Sequence, residues 1–180
     1  MHTRFFSLFL AALLFSAAAM AETTYQPFVL ASVNDDSLQA RTEATLSALK
    51  DAGFSVAGQY APLDNANVLV VTHPDLLAIA AESDKGGYGA AQRVSIVERD
   101  GKTEVAFVNP LYLQYAYRLG SDLQGIRDQL EAALGSVTEF GAEKEMTAKK
   151  LGKYRYKPLM ERFDDPYELG SFDSHDAAVT

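Results

Sequence analysis

Asp100-Gly101 is the feature that most narrows what this chain can fold into. The pair stands between two β-prone runs, Arg93–Glu98 and Thr103–Val108. A two-residue link of this kind takes positive φ at both positions, and the resulting turn twists in the sense that two antiparallel strands need. The two runs are therefore expected to be sheet neighbours of opposite direction. Asn109-Pro110 ends the second, because proline cannot donate to a ladder.

The flanking segments extend the pattern. Tyr25–Val33 is apolar and β-prone apart from Pro27, which suits an edge strand. A helix is expected over Ser37–Ala52: Asp36 and Gln39 have capping-box spacing, Leu38, Leu46 and Leu49 share a face, and Gly53 stands at the C-cap. Phe54, Val56 and Tyr60 alternate with smaller residues as in a half-buried strand. Val68–Val71 is an unbroken apolar run between Asp64-Asn65 and His73-Pro74, and reads as a central strand. Pro74 can open a short helix over Asp75–Ala81, and Gly86-Gly87-Tyr88-Gly89 reads as a loop. After the tyrosine-rich stretch Leu111–Leu119, a helix over Asp122–Leu134 is marked by Ser121 with Gln124 as a capping box. Leu123, Ile126, Leu130, Ala133 and Leu134 form its apolar stripe, and Gly135 closes it. The order is β-α-β4-α with a small helix inserted. Hairpin-linked strands with helices on one face make an α+β two-layer sandwich with a mostly antiparallel sheet.

Three segments also carry a family resemblance. They are Leu49-Lys50-Asp51-Ala52-Gly53-Phe54, Val70-Val71-Thr72-His73-Pro74, and the Val94-to-Pro110 hairpin ending in Asn109-Pro110. Through them, Val29 to Leu134, about two thirds of the mature chain, resembles the bacterial family known as domain of unknown function 302. The resemblance implies a β-α-β4-α sandwich, often dimeric, and no particular activity. Gly86 to Gly89 departs from the family pattern, standing where many members have an apolar segment with a proline.

The amino terminus points to export. His2 and Arg4 precede an apolar run from Phe5 to Met20, and Ala19-Met20-Ala21 offers small residues at the two positions a signal peptidase reads. The run falls short of the roughly 20 residues that span a bilayer, so residues 1–21 are expected to be a signal peptide cleaved after Ala21, releasing the chain to the periplasm. The mature chain divides into a domain at 22–136 and an arm or linker at 137–180. It carries 15 basic and 24 acidic side chains, a net −9, which disfavours nucleic acid and anionic lipid as partners. With no cysteine, it has no disulfide, no thiolate metal site and no covalent haem. No metal or other cofactor is expected.

Chemistry-bearing motifs are absent, and no residue is assigned as catalytic. In a meander, the strands ending at Thr72 and Val108 run the same way with Arg93–Glu98 between them, so His73 and Asn109 fall on one sheet edge roughly 10 Å apart. His73, Asn109, Tyr112 and Tyr115 could then line a ligand rim. On the plainer reading, which is preferred, His73 and Asn109 cap the next helical turns and the tyrosines fill the boundary of the core.

Beyond the last helix a basic run (Lys144, Lys149, Lys150, Lys153, Arg155, Lys157) interleaves Tyr154 and Tyr156, and an acidic aromatic segment with Phe163, Tyr167 and Phe172 follows. Such aromatic content is unlike a disordered linker, so Tyr154, Tyr156, Phe163 and Tyr167 are expected to dock on protein. Leu169–Asp176 also echoes Leu30–Ser37, as if a second repeat were about to start. The expected function is a non-catalytic periplasmic binding or accessory domain, working through a homodimer or another periplasmic protein. The alternative is a periplasmic hydrolase or isomerase with His73 as general base.

Overall fold

The computed structural model describes residues 22–84, 86–162, 165, 167–168 and 170–179; the signal-peptide reading and Phe163 lie outside them. In chain order the elements are β1 (Thr24–Tyr25), β2 (Phe28–Asn34), α1 (Leu38–Asp51), β3 (Ser55–Leu63), β4 (Ala66–Thr72), α2 (Pro74–Glu82), β5 (Gln92–Arg99), β6 (Lys102–Val108), α3 (Pro110–Ala116), α4 (Gln124–Leu134), β7 (Thr138–Phe140), β8 (Met146–Thr147), α5 (Ala148–Leu151) and α6 (His175–Val179). Gly86–Gly89, read from sequence as a loop, forms a single 3-10 turn.

The expected hairpin is present. Asp100 and Gly101 have φ of 51° and 72°, and β5 pairs antiparallel with β6 from Arg99–Lys102 to Val94–Phe107. The main sheet runs β3-β4-β5-β6-β2-β7, an antiparallel meander closed by the first long strand returning beside β6. β4 is central, as its unbroken apolar run implied. β2 is not a simple edge, because Phe28, Val29 and Leu30 pair with β7. Proline was a poor guide here: Pro27 lies just before the strand, where it costs no ladder bond.

One face of the sheet is covered. Val29, Leu69, Val71, Val94, Ile96 and Phe107 point inward against Leu49 of α1, Leu76 of α2 and Leu123, Ile126 and Leu130 around α4. Burying each such side chain contributes about 1.5–3 kcal/mol, enough to fix the register, since a slip of one residue would turn this set to water.

The helix ends differ from the sequence expectation in detail. Ser37, not Asp36, caps α1, with its hydroxyl accepting from the Ala40 amide. Asp36 instead pairs with Arg41. At the other end Gly53 (φ 86°) follows the cap at Ala52, and the Phe54 and Gly53 amides donate to the Leu49 and Lys50 carbonyls, a Schellman closure. α4 has no capping box. Its first turn starts at Gln124, whose amide donates to Asp122 rather than to Ser121. Gly135 ends it at φ 96°, against the Ala31 carbonyl where a Cβ would come within 2.6 Å.

The packed body also runs past the boundary at 136. β7 adds to the main sheet, β8 pairs with β1, and Leu151 of α5 is buried. Strands of two or three residues carry no readable alternation, which is why sequence alone did not find them.

Candidate functional site

The strands ending at Thr72 and Val108 do point the same way across β5, and each next residue caps a helix. His73 Nδ1 accepts from the Asp75 amide at 3.2 Å, so its proton belongs on Nε2. The Asp75 carboxylate lies 3.4 Å from the same nitrogen. The ring packs against Phe54 at 5.1 Å, with Nε2 over Gly53.

Asn109 is wholly buried in a different set of partners. Its Oδ1 accepts from the Leu111 amide and from Arg127, both at 3.1 Å, and its Nδ2 donates to the Gln26 carbonyl at 2.9 Å. Arg127 also donates to Glu139 at 2.5 Å and to Glu131 at 2.9 Å. Burial works against the guanidinium charge, but the hydrogen bonds it donates to the Glu139 and Glu131 carboxylates outweigh it and hold its pKa above the ordinary value. Gln26 completes the knot: its amide donates to Glu139, and its side chain exchanges two hydrogen bonds with the Ala142 backbone. The structure therefore joins Asn109 to Arg127 and Gln26. Among the described residues, no hydrogen bond or ring contact joins it to His73.

Tyr115 packs on Tyr25 with ring centroids 4.9 Å apart and hydroxyls 3.5 Å apart. That hydrogen bond, helped by burial, pushes the Tyr25 phenol up to about 12. Tyr112 is raised by burial, then by the nearby Tyr154 and Tyr117 phenols. Tyr154 thus lies beside Tyr112 of its own chain, half-buried, whereas Tyr156 and Tyr167 are exposed. The Tyr167 hydroxyl donates to Glu161 at 2.6 Å.

A feature that sequence reasoning missed is the other face of the sheet, bordered at one end by α3 and the Gly86–Gly89 turn and otherwise open. Phe28, Tyr60, Val68, Ser95, Ala106 and Val108 line a shallow hollow of about 210 Å³ around Arg93. A second hollow, of about 240 Å³, adjoins it through Arg93 and Val108, walled by Val70, Leu113 and the stacked rings of Tyr88 and Tyr117, 4.7 Å apart. Together they form a groove in which Arg93 is the one charged residue among the described lining. The signal in the sequence was the unbroken Val68–Val71 run. A strand covered on one side only should alternate, and this one does not. An apolar groove with a planar five-donor fork at its centre can hold an apolar group that carries a carboxylate.

Among the described residues there is no cluster of three or more His, Asp or Glu side chains placed to hold a metal. No described helix is long and apolar enough to cross a membrane.

No family model and no curated protein matches this chain. A search of solved structures finds an uncharacterized conserved protein, DUF302, from Bacillus stearothermophilus, at 18% identity and a TM-score of 0.52, covering 62% of this chain and 97% of that one. The sandwich built from β2 to α4 therefore has the fold of domain of unknown function 302.

Proposed function

We propose that this chain is exported and serves as a non-catalytic binding or accessory domain acting through the open face of its sheet. One observation carries the reading: an apolar groove on that face surrounds Arg93, which has no carboxylate partner among the described residues. Domains of this size rarely leave contiguous apolar surface to water unless it meets something. The partner is a second copy or another periplasmic protein. The use of His73 Nδ1 in capping α2 supports a binding role over general-base chemistry at that residue.

The test compares the mature chain with Val68→Asp and Tyr60→Asp, which put charge into the groove without touching the core. Sedimentation and affinity purification from the native periplasm should show self-association or partner retention in the parent and its loss in both variants. Folded variants that keep the same mass and the same partners would overturn the reading.

A further inference from the structure

We infer that the groove on the open sheet face is filled by the carboxy-terminal arm of a second copy, so that two chains exchange arms. The inference rests on the sheet face being the binding surface and adds the identity of its occupant. The arm's chemistry complements the groove. From Glu161 to Val179 the sequence has six acidic side chains against the single Arg162, with Tyr167 and Phe172 among them. The groove offers apolar walls, two stacked tyrosines and a guanidinium with no carboxylate partner among the described residues.

Among the described residues, aromatic surface stays open on both sides: in the groove Tyr60 is 50% and Tyr88 45% exposed. Leu159 is 97% and Tyr167 77% exposed, and Tyr156 and Phe172 are also open to water. The arm nevertheless has local order. Arg155 donates to the Met160 carbonyl at 2.8 Å, the Arg162 amide to Asp165 at 2.9 Å, and Tyr167 to Glu161. An aromatic held by such turns loses less freedom on docking than one on a free chain. Reach is not limiting. Tyr154 sits beside Tyr112 of α3, and Leu113 and Tyr117 of the same helix wall the groove. Extended chain covers about 3.3 Å per residue, so the arm spans tens of ångströms beyond that root. Because each arm leaves from the wall of its own groove, two chains can exchange arms reciprocally about a two-fold axis, which closes the assembly at a dimer.

Sedimentation velocity of four mature chains tests this: the parent, a truncation after Tyr154, Arg93→Glu, and the pair Tyr167→Ser with Phe172→Ser. The parent should be a dimer and the other three monomers that keep the parent's circular dichroism spectrum at low temperature while melting earlier, since the dimer's mass-action stabilisation is lost. Mixing the truncated chain with Arg93→Glu should restore a one-to-one heterodimer, since one supplies the groove and the other the arm. Arg93→Gln serves as the substitute if Arg93→Glu loses the parent's spectrum. A parent that is monomeric, a heterodimer that does not form, or a truncated chain that still dimerises would overturn arm exchange. If the truncated chain dimerises and Val68→Asp does not, the sheet face remains the binding surface with another occupant. If Val68→Asp dimerises as well, both readings fail.

Discussion

Replacing Arg127 with methionine keeps most of the side chain's packing stem but removes the guanidinium that holds Asn109, Glu131 and Glu139 together. Removing one partner of a fully buried ion pair costs about 3–5 kcal/mol, whereas an exposed pair contributes about 0–1. Arg127 is 13% exposed, but its carboxylate partners Glu131 and Glu139 are 30% and 28% exposed, so both recover part of their hydration when the cation goes. The loss should therefore fall between the limits, at about 2–3 kcal/mol, or roughly 5–10 °C in melting temperature for a domain of this size. It should also be local. The Ala142 amide, held by Gln26 beside Glu139, should exchange hydrogen faster, while amides in the β5–β6 hairpin change only with global stability. Adding Glu139→Gln to Arg127→Met should recover part of the loss by removing the orphaned charge. Thermal melts with hydrogen exchange read both effects. A variant melting within about 1 °C of the parent would refute the idea that this network ties β7 and the segment after it to the sandwich.

Gln92 is fully buried and neither end of its amide has a partner among the described residues, so Gln92→Met should raise stability by about 1–2 kcal/mol; a lower melting temperature would show that the amide is bonded to internal water. His73→Ala should cost about 0.5–2 kcal/mol through loss of the α2 cap, and His73→Asn, which can still accept from the Asp75 amide, should recover most of it in the same denaturation series. The Tyr25 phenol holds its proton more tightly folded than unfolded, so its contribution is complete below pH 10 and is lost as pH rises from 10 to about 12. The change should be at most about 1 kcal/mol for this partly exposed group, and Tyr25→Phe should flatten that part of the stability–pH curve. Amino-terminal sequencing of exported material should begin at Glu22; intact Met1 would refute cleavage after Ala21.

The parts of the fold that were legible in the sequence are those set by local chemistry. Asp100-Gly101 fixed a hairpin because few residues accept positive φ in succession, and Gly53 and Gly135 marked helix ends for the same reason. Caps were legible in kind but not in position, since neighbouring Asp36 and Ser37 both suit the role and only the chain's path decides between them. β1, β7 and β8 escaped notice because two or three residues hold no period; their pairing partners supply the order. Asn109 was found as a cap, but Arg127 was not linked to it, because two residues eighteen apart meet only once α3 and α4 have packed. The groove is not legible because which face of a strand stays open is decided by where the helices pack, not by the strand's own residues.

The pairing of Thr24 and Tyr25 with Thr147 and Met146 sets a kinetic condition on the whole domain. A two-stranded ribbon whose halves are more than a hundred residues apart closes one of the longest loops the chain can make, and the β2–β7 pairing spans nearly as much. Contacts of such separation form late, because the entropy of closing the loop must be met before they contribute. Synthesis adds roughly 5–20 residues per second, so the chain emerging from a ribosome waits several seconds, at the least, between making β1 and making its partner. During that interval the β1–β8 ribbon, a sheet separate from the sandwich, has only one of its two strands. Under the proposed export, that delay would leave the first strand of the mature chain unpaired while the amino terminus is being threaded.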